Sequence, residues 1–278
     1  MPVTKKSKIA IAAIIIAIAV IVLASVLLLR NHSVGTEAAS ALDQTQAKAE
    51  VLPFLNMQES KAVYALPFCE QKNCIDVDIR TIKTQDTWLN GWIANNQAYV
   101  IQQQIQLNQK MTLQQAINAY VAKSDAWREK YSNNKAYALY LDSRMASQRN
   151  QYVLLQLTVD TQQEELVVKD RAYFFVADRK LQKHLSVLDV IQKKQQTAMH
   201  ALVQTQYQKW IEQQSTELKK QLPETLYWGQ ADWFFDGEGI GLHYRANEIS
   251  KDAPQLDIYF TTAQSKQILQ ADIYQQMF

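Results

Sequence analysis

The chain has 278 residues, a formal net charge of +2 and 20% charged residues, a length that allows one or two domains. This near-balance of charge excludes the basic footprint of a nucleic-acid-binding protein and an acidic tail. Glutamine is abundant but scattered through helical pattern, so it marks no low-complexity tract.

The first signal in chain order is the run from Ile9 to Leu29, which carries no charge and has Ser25 as its one polar residue. About 20 apolar residues at 1.5 Å per residue cross a bilayer core, so 9–29 is predicted as a single transmembrane helix. Lys5, Lys6 and Lys8 precede it and Arg30 follows, which favours a cytoplasmic N-terminus and an exported remainder. The rival reading is a cleaved signal peptide, whose apolar region spans only about 7–15 residues. Ala39-Ser40-Ala41 has the character of a cleavage site but lies well past the run. No cysteine follows closely enough for a lipoprotein anchor. The predicted order is a short cytoplasmic tail (1–8), the span (9–29) and a small, polar linker (30–48).

Cys69 and Cys74 are the two cysteines, with four residues between them. An oxidising compartment pairs such cysteines in a structural disulfide; the alternatives are free thiols or half a metal site. A zinc site needs further ligands nearby, and the next histidine along the chain is His184. Cys74–Ile79 alternates as a strand. Thr84 or Asp86 then caps a helix carrying Trp88, Leu89, Trp92 and Ile93. Thr112 and Gln115 form a capping box for a helix with Ala116, Ile117, Tyr120, Val121 and Trp127. Strands are predicted at 136–143, 152–159 and 171–177, completing an N-terminal α+β subdomain over 49–182.

A C-terminal subdomain (183–278) opens with Ser186 as cap and Asp189 at its N3 position. It continues as a long helix through Leu202, Trp210, Ile211 and Leu218 to Pro223. Four of the six glycines then cluster between Tyr227 and Phe260, among Trp228, Trp233, Phe234, Phe235, His243 and Tyr244. Asp236-Gly237 is a hairpin signal, because glycine reaches positive φ without steric cost. A strand near Gly239–Tyr244 follows. After the break at Pro254, Leu256, Ile258 and Phe260 alternate with Asp257 and Tyr259. Thr261–Phe278 reads as a closing helix.

This C-terminal stretch resembles the RsiV-like family of bacterial envelope proteins. The aromatic strand Trp233-Phe234-Phe235, the turn at Asp236-Gly237, the strand to Tyr244, the Asn247-Glu248-Ile249 segment and the strand Leu256–Phe260 are the counterparts. The Leu185–Asp189 helix entry and the threonine turn before Trp88 are similar as well. Asn247 departs from the family's usual tyrosine, and Glu164–Lys169 replaces a glycine-rich loop. The resemblance implies an extracytoplasmic module, single-pass in the bacterial inner membrane with its bulk in the periplasm. It also implies lysozyme or peptidoglycan-related material as ligand. A sigma-binding cytoplasmic segment, which an anti-sigma factor of this kind needs, is not visible in 1–8.

The expected fold class is therefore α+β: one membrane helix, then antiparallel sheets packed with long helices in two subdomains. No nucleotide loop, zinc-protease pair or nucleophile elbow is present, so no enzyme activity, cofactor or metal is expected. The candidate ligand-binding residues are Trp233, Phe235, Asp236, Glu238, His243, Tyr244 and Glu248. Asp232, Asp236, Glu238 and Glu248 would suit a basic protein such as lysozyme. The aromatics admit two readings, a packed sheet face or an exposed binding surface. Alternation cannot place Trp233, Phe234 and Phe235 on one face. Two further function readings are an accessory module of a cell-wall-modifying enzyme and a structural partner of an inner-membrane complex.

Overall fold

The computed structural model describes residue 52 and residues 54–69, 73–130 and 133–278. The tail, the predicted span 9–29 and the linker 30–48 lie outside them. Among the described residues no helix is long and apolar enough to cross a membrane.

A six-stranded sheet in the order β1-β2-β3-β4-β5-β6 carries the fold. Edge strand β1 (Gln58–Lys61) runs antiparallel to β2 (Asp76–Lys83). Helix α1 (Thr87–Gln104) starts where Leu89 N–H donates to the Asp86 carboxylate at 3.0 Å. Helix α2 (Leu113–Lys130) starts at the expected box: Gln115 N–H donates to Thr112 Oγ1 at 3.3 Å and Thr112 N–H to Gln115 Oε1 at 2.9 Å. These two helices return the chain to the end of the sheet it left. Strand β3 (Ala138–Arg149) therefore pairs with β2 in parallel, not antiparallel as expected. A parallel connection needs a crossover of about a dozen residues or more, and α1 and α2 supply it. Strands β4 (Tyr152–Gln163), β5 (Leu166–Asp178) and β6 (Lys183–Leu185) finish the sheet as an antiparallel meander.

Strand β4 shows how the sheet is shared. Val153, Leu155, Leu157 and Val159 enter a core with α1 and α2, while Tyr152 and Leu154 enter a second core on the opposite face. Its first four residues are apolar without a break because both faces are covered there. The alternation that follows marks where one face returns to solvent. Both cores belong to one compact unit, Val51–Phe278, and position 182/183 falls at the β5–β6 hairpin.

The second core is roofed by a three-stranded antiparallel sheet, β7 (Asp232–Phe235), β8 (Ile240–Tyr244) and β9 (Leu256–Phe260). Helix α3 (Val187–Val190) has the expected Ser186–Asp189 box but ends after four residues. Ile191 turns extended and bridges Leu269. Gln192 N–H donates to the Ile268 carbonyl and Gln270 N–H to the Val190 carbonyl, both at 2.9 Å. A 3-10 turn (Lys193–Gln195) then leads into α4 (Gln196–Glu212), and α5 (Thr216–Lys219) follows. The same bridge splits the closing segment into α6 (Thr262–Ile268) and α7 (Ala271–Met277). Two expected long helices are thus interrupted by one tertiary contact.

The glycine hairpin forms, but not for the expected reason. No described glycine has positive φ. The Asp236 carboxylate closes the turn instead, accepting from Glu238 N–H at 2.7 Å and Gly239 N–H at 3.1 Å. Glycine is required where chains approach: a Cβ on Gly241 would sit 2.2 Å from Phe234 Cζ, and one on Gly239 would sit 2.1 Å from the Phe260 carbonyl oxygen.

Cys69 and Cys74 form the expected disulfide, with Cα atoms 6.0 Å apart.

Candidate functional site

Strand alternation sorts the predicted site residues into three groups. Trp233 and Phe235 point into the second core with Tyr244; Trp233 is 2% exposed, and its indole N–H donates to the Leu185 carbonyl at 2.7 Å. Tyr244 donates to the Tyr227 carbonyl at 3.2 Å, and burial raises its pKa. Phe234 takes the other face, edge-on to Tyr259. Of the two readings of these aromatics, the packed sheet face is the one observed.

Asp236 and Glu238 are exposed at the hairpin turn. Asp232, His243 and Glu248 lie at the opposite end of the β7–β8 pair, where Asp232 faces His243 in register. The acids therefore do not gather on one edge. Asp232 is also neutralised: Arg245 Nη1 lies 2.5 Å from it, while Arg245 Nη2 lies 2.7 Å from Glu248. The guanidinium sits 4.4 Å over the Tyr173 ring. Burial pushes the Asp232 carboxyl up, against the pull of Arg245 and of the Phe174 N–H that donates to it at 3.0 Å. His243 is 3% exposed, and its Nδ1 meets Asp257 Oδ1 at 2.6 Å. His243 Nε2 is buried without a partner. The Asp232–Arg245 pair ties β5 to the second sheet through the Phe174 N–H and the Tyr173 ring. Among the described residues, no group of three or more His, Cys, Asp or Glu side chains is arranged to hold a metal ion.

Beside this network opens a cleft of about 410 Å³. One wall is a single stripe of α1: Trp92, Asn95, Asn96 and Tyr99, the i, i+3, i+4, i+7 positions of one helix face. Leu89, Ile93, Val100 and Ile101 use another face to fill the first core. The facing wall comes from Phe174 and Phe175 on β5, His184 on β6, the loop residues Gly229, Gln230 and Ala231, and Asp232 at the start of β7. Tyr99 keeps 40% of its surface exposed and meets Phe175 edge-on at 6.0 Å. The His184 ring lies 6.3 Å from Trp92 and 6.2 Å from Phe175. Desolvation lowers its pKa although the residue stays exposed. Asn95 and Gln230 present exposed amides, and Asn96 donates back to the Trp92 carbonyl at 2.9 Å. The lining thus combines aromatic faces with uncharged donors and acceptors, and its one carboxylate, Asp232, is already held by Arg245.

Of the predicted ligand-binding residues Trp233 lines this cleft, together with Asp232 of the predicted acidic patch. Asn95, Asn96, Tyr99 and Gln230 were not singled out from the sequence. The α1 stripe was the available signal: a polar and aromatic face beside the apolar one.

The architecture is a mixed α+β fold with two sheets and helices on both faces of the larger one. No protein-family model matches the chain, and no curated protein does. Solved structures with this fold include a DUF3298 family protein from Pseudomonas aeruginosa, with a TM-score of 0.58 at 15% identity, covering 80% of this chain and 97% of that one. A DUF3298 family member from Bacteroides fragilis is similar with a TM-score of 0.54 at 13% identity, again covering 80% and 97%. At these identities the likeness is one of fold.

Proposed function

We propose that this chain is a membrane-anchored, extracytoplasmic binding protein of the bacterial envelope, akin to RsiV-like exported modules and without catalysis of its own. Its ligand seats in the cleft between α1 and the β6–β7 region. One observation carries this reading: the cleft is walled by an aromatic and amide stripe on a rigid helix. Ligand sites of this kind are concave, largely apolar and set with a few oriented polar groups. Aromatic faces with neutral amides suit the sugar rings and amides of peptidoglycan better than they suit an ion. The carboxylate nearest to a catalytic role, Asp232, is occupied by Arg245 and the Phe174 amide. The apolar run 9–29 and the Cys69–Cys74 pair both support an exported location.

The test is co-sedimentation of the full chain in detergent with purified peptidoglycan, with soluble lysozyme assayed in parallel. The expected result is saturable binding to peptidoglycan that Tyr99→Ala weakens by about 1 kcal/mol or more, roughly fivefold. Altering Asp236 and Glu238 should leave that binding unchanged. Binding to lysozyme that depends on Asp236 and Glu238, with no binding to peptidoglycan, would replace the cleft by the hairpin turn as the site.

A further inference from the structure

Large apolar side chains are exposed at fourteen described positions, and five of these fall within residues 54–68: Phe54, Met57, Val63, Leu66 and Phe68. Phe54 is 79% exposed, and Val63 and Phe68 are each 89% exposed. Scattered single apolar residues on a surface are ordinary, whereas a concentration of them marks a contact surface. The stretch carries only two charges, Glu59 and Lys61, and Lys61 is paired with Asp78 at 3.1 Å.

Backbone contacts fix where these side chains sit. Gln85 N–H donates to the Leu55 carbonyl at 3.2 Å, β1 pairs with β2 from Gln58 to Lys61, and Ala62 N–H donates to the Ile79 carbonyl at 2.8 Å. Tyr64 donates to the Val77 carbonyl at 2.7 Å. Gln114 grips Ala65 twice, accepting from its N–H at 2.8 Å and donating to its carbonyl at 2.9 Å. Phe68 adjoins the Cys69–Cys74 disulfide. The stretch is thus strapped along the outer margin of β2, at the β1 end of the sheet. Its buried Leu55 holds it down in the first core, which also contains Ile79 of β2, and its phenylalanines are left facing out.

This margin is also the first part of the fold after the apolar run. Residues 30–53 separate Leu29 from it, a length that cannot span more than about 85 Å even when fully extended. We infer that the margin Phe54–Phe68 docks on the lipid interface of the membrane that holds the chain, an inference that rests on the anchored reading of 9–29. Phenylalanine and leucine side chains bury into the boundary between headgroups and acyl chains. A covalent tether keeps the surface permanently near its target, so weak contacts suffice. Docking would fix which side of the fold faces the bilayer, whatever ligand the cleft binds.

The test places single tryptophan reporters in the full chain reconstituted into phosphatidylcholine vesicles. Phe54→Trp, Phe68→Trp and the exposed control Leu181→Trp (68% exposed in the parent) are each compared with the parent protein and its six native tryptophans. Vesicles with brominated acyl chains should remove most of the added emission at 54 and 68 and leave that at 181 unchanged. Equal accessibility of all three reporters to a water-soluble quencher overturns the docking. Retention of the chain through alkaline carbonate extraction in that case keeps the anchor reading intact. Release by carbonate removes both the anchor and the docking. A dimer in detergent that Phe54→Ser/Phe68→Ser converts to monomer assigns the margin to a second copy of the chain and likewise overturns the lipid proposal.

Discussion

Replacing Arg245 with methionine should make the protein unstable in a pH-dependent way. The guanidinium is mostly buried, within 2.5 Å of Asp232 and 2.7 Å of Glu248, and stacked on Tyr173. Methionine fills comparable volume, so the cavity contribution is small. The loss is electrostatic. Glu248 is the more exposed partner and can be solvated by water, but Asp232 is left as a buried carboxylate with only the Phe174 N–H for support. Breaking a buried pair from one side costs about 3–5 kcal/mol, which for a unit of this size corresponds to a fall in Tm of roughly 6–20 °C. Burial already pushes the Asp232 carboxyl up, and loss of Arg245 raises it further. A raised acid binds its proton more tightly in the folded state than in the unfolded one. Stability then falls as pH rises from about 3.9, the unfolded value, through the folded pKa, and levels off above it. Urea unfolding followed by tryptophan fluorescence between pH 4 and pH 8 is the assay. Arg245→Met should lose most stability near pH 8 and recover part of it at pH 4 to 5. Arg245→Met/Asp232→Asn should regain stability at pH 8. A single variant within 1 kcal/mol of the parent and flat with pH would refute this account of the network (about 1 kcal/mol is the ceiling for an exposed pair).

Gly241→Ala should destabilise by about 1–3 kcal/mol through overpacking, and Phe234→Leu in the same chain should restore much of the loss, because the colliding atoms belong to that ring. Gly239→Ala should cost more and find no side-chain rescue, since its Cβ meets the Phe260 backbone; both are read by chemical denaturation. His184, although exposed, has its pKa lowered by partial desolvation of its ring, so its unfolded form takes up a proton first. Stability should decline as pH falls through about 6.5, and His184→Gln should lose that dependence. Reduction of Cys69–Cys74 should leave the fold intact and cost no more than about 2 kcal/mol, because the closed loop is short; differential scanning calorimetry with and without reductant measures it.

Local signals in this sequence specify structure where local chemistry decides. Asp86, Thr112 and Ser186 cap their helices as residue type and spacing indicate. The Leu256–Phe260 alternation maps directly onto buried and exposed positions. What local pattern cannot contain is a contact between distant segments. The Ile191–Leu269 bridge overrides a continuous helical pattern on both sides, and the parallel β2–β3 pairing depends on the return path of α1 and α2. The site was less legible than the fold for the same reason. His243 and Asp257 are neighbours only through β8–β9 register, Arg245 reaches Asp232 across a strand, and the cleft exists because α1 stands beside a loop some 130 residues away in the chain. The aromatic residues near the glycines admit both a packed face and a binding surface in sequence, and they are buried because α4 and the closing helices pack on the second core.

The central claim is that the cleft beside α1 is where the ligand binds. Asn95 stands on its wall with its side chain exposed, so Asn95→Trp should plug the cleft without disturbing a core. Calorimetric titration of the full chain with solubilised peptidoglycan fragments should give saturable binding in the parent. In the plugged variant that heat should vanish, while its urea midpoint stays within error of the parent. Undiminished binding by Asn95→Trp, or no binding by either protein, would contradict the account.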